Sequence, residues 1–139
     1  MHSEHLTNVS FSWVAFGWFV GFAVASSIIL LLVGAGLVGR SLTGEAVGIG
    51  MAAAVGWAVG GFITGFKTAA APILHGAAMA LFTFVAWFAV NLVLAAFTTG
   101  LSAWEAFPAQ VAAPGLIVQA VAAIAGCWAG YRYAPVRVE

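Results

Sequence analysis

Of the 139 residues, 64% are hydrophobic and only 6% are charged, four basic against four acidic, for a formal net charge of zero. A soluble domain carries about 25% charged residues, so this chain cannot cover a globule with hydrated surface and reads as an integral membrane protein. Zero net charge also removes the basic footprint that nucleic-acid binding needs.

Four stretches lack Asp, Glu, Lys and Arg altogether: His5 to Gly39, Ala46 to Phe66, Thr68 to Trp104 and Ala106 to Tyr131. About 20 apolar residues carry a helix across a hydrocarbon core of about 30 Å. The expected architecture is therefore all-α: one transmembrane domain over 1–139, a bundle of four spanning helices at about 11–38, 46–66, 73–98 and 115–133.

The start, Met1-His2-Ser3-Glu4-His5, has no Lys or Arg, and the apolar stretch behind it is far longer than a signal peptide's, so the first span is expected to be retained. That span runs into Gly34, Gly36 and Gly39 before Arg40. The second closes on Lys67, and the third begins after Pro72, a residue tolerated in a first turn where its missing N–H has no intrahelical partner anyway. The fourth follows Pro114-Gly115 and stops at Pro135. Short connections at Arg40–Glu45 and Lys67–Pro72 imply antiparallel hairpins of neighbouring spans. The longer connection from Leu101 to Ala113, with Trp104, Glu105 and Phe107 beside Pro108, fits either a short interfacial segment or a plain loop.

With four crossings, Lys67, Arg132 and Arg137 fall on one side of the membrane and Arg40 on the other. Positive charge concentrates on the cytoplasmic side, which puts both termini in the cytoplasm of a bacterial inner membrane.

Helices in lipid associate through close packing of small residues. Candidates at four-residue spacing are Gly17, Gly21 and Ala25 on span one, Ala52, Gly56 and Gly60 with Gly61 and Gly65 on span two, and Ala122, Gly126 and Gly130 on span four. Phenylalanines crowd spans one and three. At an offset of 71 residues, Phe11–Phe16 falls on Phe82–Trp87, and Trp57-Ala58 falls on Trp128-Ala129. A duplicated hairpin with an axis along the membrane normal would produce this, and so would chance in an Ala- and Gly-rich chain.

No span has an ionisable group at its middle, which argues against an ion-coupled transporter working as a monomer. Its neutral polar groups include Thr64, Thr83, Ser27, Asn91 and Gln119; the last three are expected in the outer half, serving interhelical hydrogen bonds or, alternatively, lining a small polar path. His75 sits one turn into span three, and Ala71-x-x-x-His75 is similar to the spacing by which light-harvesting helices offer a histidine to chlorophyll. A hydrogen bond to a loop carbonyl or water is the commoner role, with haem or chlorophyll ligation the sharper one. His2 and His5 lack the ligand count of a metal site, so no metal is expected. The single cysteine, Cys127, reads as a small apolar packing residue. Nucleophile–base pairs and paired carboxylates have no members here, and the chain is read as a non-enzyme.

Gly60-Gly61-Phe62-Ile63-Thr64-Gly65-Phe66-Lys67, followed by Leu74-His75-Gly76, resembles the pattern of the YrzE-like group of small four-span bacterial membrane proteins. The likeness covers about a quarter of the chain, mainly spans two and three, and that group lends no biochemical activity. It implies four spans, glycines that bring span two close to span three, and Lys67 beside His75 at the headgroups. The functional expectation is an accessory or stabilising subunit of a larger membrane energy-conversion complex, respiratory or photosynthetic, in contact with lipid and other membrane subunits. Alternatives are a homo-oligomeric channel or facilitator lined by Ser27, Asn91 and Gln119, and a pigment- or haem-binding protein using His75.

Overall fold

Apolar side chains on every face of a long helix leave it soluble in lipid alone, and four helices here meet that condition. The computed structural model describes residues 5–37, 42–97 and 109–135. A one-turn 3-10 helix at Leu6–Asn8 precedes α1 (Phe11–Gly34), α2 (Leu42–Thr68), α3 (Pro72–Phe97) and α4 (Ala109–Tyr133). All four are long and apolar enough to cross a membrane, so the chain is a multi-pass, all-α membrane bundle.

The helix ends explain where the expected boundaries moved. α1 stops at Gly34, four residues short of the expected 38, because Gly36 adopts φ 65° and the Gly36 and Leu37 amides donate back to the Val33 and Leu32 carbonyls. This is a Schellman closure, in which glycine takes the left-handed position at no steric cost. α2 ends two residues late, at Thr68, with Ala69 in the same left-handed conformation (φ 49°) and its amide bonded to the Gly65 carbonyl. α4 begins at Ala109, six residues before the expected 115, and runs through Pro114. Pro114 is the sixth residue of α4, past the first turn, so the helix continues through it at the cost of one intrahelical hydrogen bond. Residues 109–113 of the expected interfacial segment are thus the opening of α4, and the rest of that segment lies outside the described residues.

α2 is the centre of the bundle. It packs along α1 on one side and, most extensively, along α4 on another, while α3 rests on α4 and more lightly on α1. α2 and α3 touch only slightly, so the hairpin they form is antiparallel but diagonal rather than side by side. The glycines decide this. Gly56 and Gly60 face the α1 backbone at Gly21 and Gly17, whereas Gly61 and Gly65 face the α4 backbone at Ala123 and Cys127. The expectation that the α2 glycines approach α3 is therefore corrected: both small-residue faces of α2 are taken by other helices. The two hairpins also differ in packing, since α1 and α2 meet glycine to glycine while α3 meets α4 where Gly76 lies against Ile124.

Large apolar side chains point outward, among them Phe11, Phe19, Leu30, Leu81 and Phe97, and the buried core is small: Val14, Ala25, Ala52, Ala53, Trp57, Ala71, Met79, Ala123 and Cys127. Thr64, His75 and Asn91 are wholly buried among them. Polar groups inside and apolar groups outside is the distribution that a hydrocarbon solvent selects.

Candidate functional site

Three clusters of interior polar groups each tie α1 to a later helix. At one end His75, in the first turn of α3, accepts a hydrogen bond at Nε2 from the backbone N–H of Ser10 (3.0 Å), while its Nδ1 donates to the Ala71 carbonyl (2.9 Å). Two hydrogen bonds fix the tautomer: Nδ1 carries the proton and Nε2 offers its lone pair to an amide. Ser10 is the N-cap of α1 and its side chain makes no cap bond; its amide is satisfied from α3 instead.

One turn deeper, the Thr64 hydroxyl on α2 shares its single proton between carbonyls on two helices, Trp13 on α1 (3.1 Å) and Gly60 on its own helix (3.0 Å). Gly17 lies directly over that hydroxyl, so that a methyl group added at Gly17 would occupy the position of Thr64 Oγ1. The small residue is what lets the Trp13 carbonyl come within reach.

The third cluster joins three helices at one atom. Thr83 Oγ1 on α3 accepts the indole N–H of Trp18 from α1 (3.0 Å) and that of Trp57 from α2 (3.2 Å), and donates to the Met79 carbonyl (3.1 Å). A hydroxyl has one proton and two lone pairs, so its hydrogen-bonding capacity is filled. Trp18 then stacks on Phe22 (ring centroids 5.8 Å apart) and meets Phe82 edge-on (5.0 Å), which carries the aromatic contact to the outer surface.

The expected polar trio is not joined. Ser27 is exposed and donates to Ala23 of its own helix (2.8 Å), and Asn91 donates to Trp87 of its own helix (2.9 Å). Asn91 Oδ1 and Gln119 Oε1 are buried with no hydrogen-bond partner. Lys67 and His75 differ in surroundings. Lys67 is exposed at the end of α2, whereas His75 is enclosed, because Ala71 and Pro72 ahead of it are buried as well. With both ring nitrogens engaged, a haem or chlorophyll could reach Nε2 only by displacing the Ser10 amide.

The remaining expected residues lie at the two helix seams and at one end. Gly126 and Gly130 on α4 face the Ala58 and Phe62 carbonyls of α2, completing the seam begun by Gly61 and Gly65. Arg132, in the last turn of α4, lies 4.3 Å over the Trp128 ring. Among the described residues no three His, Cys, Asp or Glu side chains gather in a metal-binding group; His2 and Glu4 are outside them. No family model, curated protein or solved structure matches this chain.

Sequence reasoning noted Thr64 and Thr83 as polar residues but missed their partners Trp13, Trp18 and Trp57, and it missed Ser10. The available signal was chemical: a buried indole N–H needs an acceptor, and Thr83 is among the few side-chain acceptors in an otherwise apolar α3.

Proposed function

We propose that the protein is a noncatalytic packing subunit that binds other membrane proteins through an aromatic face formed by α1 and α3, as an accessory or stabilising member of a larger energy-conversion complex in a bacterial inner membrane, with both termini in the cytoplasm. The observation that carries this reading is the continuous aromatic surface in which Trp18 links Phe22 to Phe82 across the two helices. Phe22, Phe82 and neighbouring Phe19 are about half exposed or more. Aromatic side chains are enriched where proteins meet, because they present a large rigid area at little conformational cost. The interior polar groups, by contrast, are largely consumed in holding helices together, and the likeness to the YrzE-like group assigns no chemistry.

Purification from native membranes in mild detergent, followed by mass spectrometry, should recover the chain with larger partners. Combined Phe19→Ala, Phe22→Ala and Phe82→Ala substitutions should release those partners while leaving the bundle folded. Recovery of the unsubstituted chain only as a monomer or homo-oligomer counts against the reading.

One observation favours a second reading, a homo-oligomeric channel or facilitator. Asn91 Oδ1 and Gln119 Oε1 are enclosed oxygens without donors, and water or a solute would supply them. Solute flux into liposomes that disappears with Asn91→Leu supports the channel; an impermeable reconstituted protein removes it.

A further inference from the structure

We propose that the groove between α3 and α4 holds one acyl chain of an anionic phospholipid whose headgroup is bound by Arg132. The groove has a volume of about 490 Å³ and is lined by Ile73, Val121, Ile124, Ala125 and Trp128. Every lining side chain is apolar except for the indole N–H, and Ala125 forms the notch between the larger Val121 and Trp128.

From Val121 to Trp128 the groove follows two turns of α4, about 10 Å at 1.5 Å per residue. Ile73, Val121, Ala125 and Trp128 are all exposed, so the groove is shallow and open along its length, and what singles out a lipid as its occupant is the charge beside it rather than its width.

The mouth has the chemistry of a headgroup site. Arg132 lies one turn beyond Trp128, with its guanidinium carbon 4.3 Å from the indole centroid. Stacking occupies the face of the guanidinium and leaves its N–H edges for hydrogen bonds, in the fork geometry that suits phosphate oxygens. The only carboxylate among the described residues is Glu45, in the first turn of α2 and so at the opposite end of the bundle. Lys67, exposed at the same end as Arg132, adds positive potential. Any apolar face contacts bulk lipid; the guanidinium stacked on Trp128, a lining residue at one end of the groove, is what selects a negative headgroup here.

Native mass spectrometry of the purified full chain tests this, using an equimolar mixture of phosphatidylglycerol and phosphatidylcholine with identical acyl chains. The expected preference for phosphatidylglycerol is about fivefold, which corresponds to about 1 kcal/mol for one interfacial cation. Arg132→Gln should bring the ratio to near one. Ala125→Trp should fill the groove and remove one retained lipid whatever its headgroup, and Val121→Trp is the second variant if the first does not fold. All three positions are exposed. Equal retention of the two lipids by the unsubstituted chain overturns the proposal. So does a preference that survives Arg132→Gln, or a groove-filling variant that leaves the lipid count unchanged or alters the number of protein copies. Lipid retention is read on the isolated chain, so this result stands apart from the test of partner binding.

Discussion

Replacing Thr83 by Val keeps the shape of the side chain and deletes the one atom on which α1, α2 and α3 converge. Two indole N–H groups lose their acceptor: that of Trp57, whose residue is 4% exposed, and that of the half-buried Trp18. In soluble cores an orphaned buried donor costs about 1–3 kcal/mol. Interhelical hydrogen bonds in a bilayer average about 0.6 kcal/mol and reach about 1.7, because the dispersed helices also find partners. The membrane values govern here, and two bonds give a loss of about 1–3 kcal/mol. The Trp57 bond should carry the larger share because its donor is the more enclosed. Thr83→Ser keeps the hydroxyl and removes only a methyl group, worth about 0.8 kcal/mol at most. Reversible unfolding in mixed micelles, followed by near-UV circular dichroism of the tryptophans, separates the two variants. A double-mutant cycle with Trp57→Phe should return a coupling above about 0.5 kcal/mol. If Thr83→Val costs no more than Thr83→Ser, or if the cycle shows no coupling, the convergence on Oγ1 contributes nothing and the reasoning fails.

The glycine seams predict opposite outcomes for one chemical change. Gly65→Ala places a methyl group against the Cys127 carbonyl and should destabilise the bundle by about 1–3 kcal/mol, whereas Gly50→Ala, with open space around it, should stabilise α2 by about 0.5–1 kcal/mol; the same unfolding assay reads both, and equal effects would contradict the seam. His75→Ala removes the acceptor of the Ser10 amide and should cost about 0.6–1.7 kcal/mol on the same membrane scale. Hydrogen exchange at that amide should accelerate first, and exchange unchanged there is incompatible with the cap. Gly36→Ala puts a side chain at φ 65° and should lose about 1 kcal/mol, while Ala69→Gly at φ 49° should gain less than that, since added freedom in the unfolded chain offsets part of the relief. Thermal unfolding that moves in the same direction for both variants rules out the left-handed assignment of one of them.

The spans were legible because run length in an apolar chain is set by membrane thickness, and that signal needs no knowledge of packing. Their ends were less legible. Ala69 closes α2 in a conformation normally signalled by glycine, and Pro114 sits inside a helix it would be expected to begin. The arrangement of helices was hidden for a different reason. Gly60 and Gly61 are adjacent in sequence but about 100° apart around a helix, so one glycine-rich stretch serves two seams and sequence spacing does not say which helix each seam receives. The expected loop carbonyl for His75 is that of Ala71, but its second partner, the Ser10 amide, lies 65 positions away in the chain, and no local spacing signals it.

The two glycine seams also account for how α3 is held. α1 and α4 press on the backbone of α2 from two directions, and α3 is left on the diagonal, reached through a turn in which both Ala69 and Ala71 take positive φ. Among the glycines described, only Gly76 gives α3 a backbone contact, against Ile124. Its attachment to α1 and α2 rests instead on hydrogen bonds, from Ser10 to His75 and from Trp18 and Trp57 to Thr83. Close packing between backbones is short-ranged and fails as soon as helices separate, whereas a hydroxyl or imidazole acceptor specifies register between helices that touch lightly. The division of labour follows: small residues fix α1, α2 and α4 as a unit, and three hydrogen bonds to His75 and Thr83 set the position of α3 against it. The aromatic face spans this softer boundary, with Phe22 on the fixed unit and Phe82 on α3, so a partner seated there would bridge the two and reinforce the weakest attachment in the bundle.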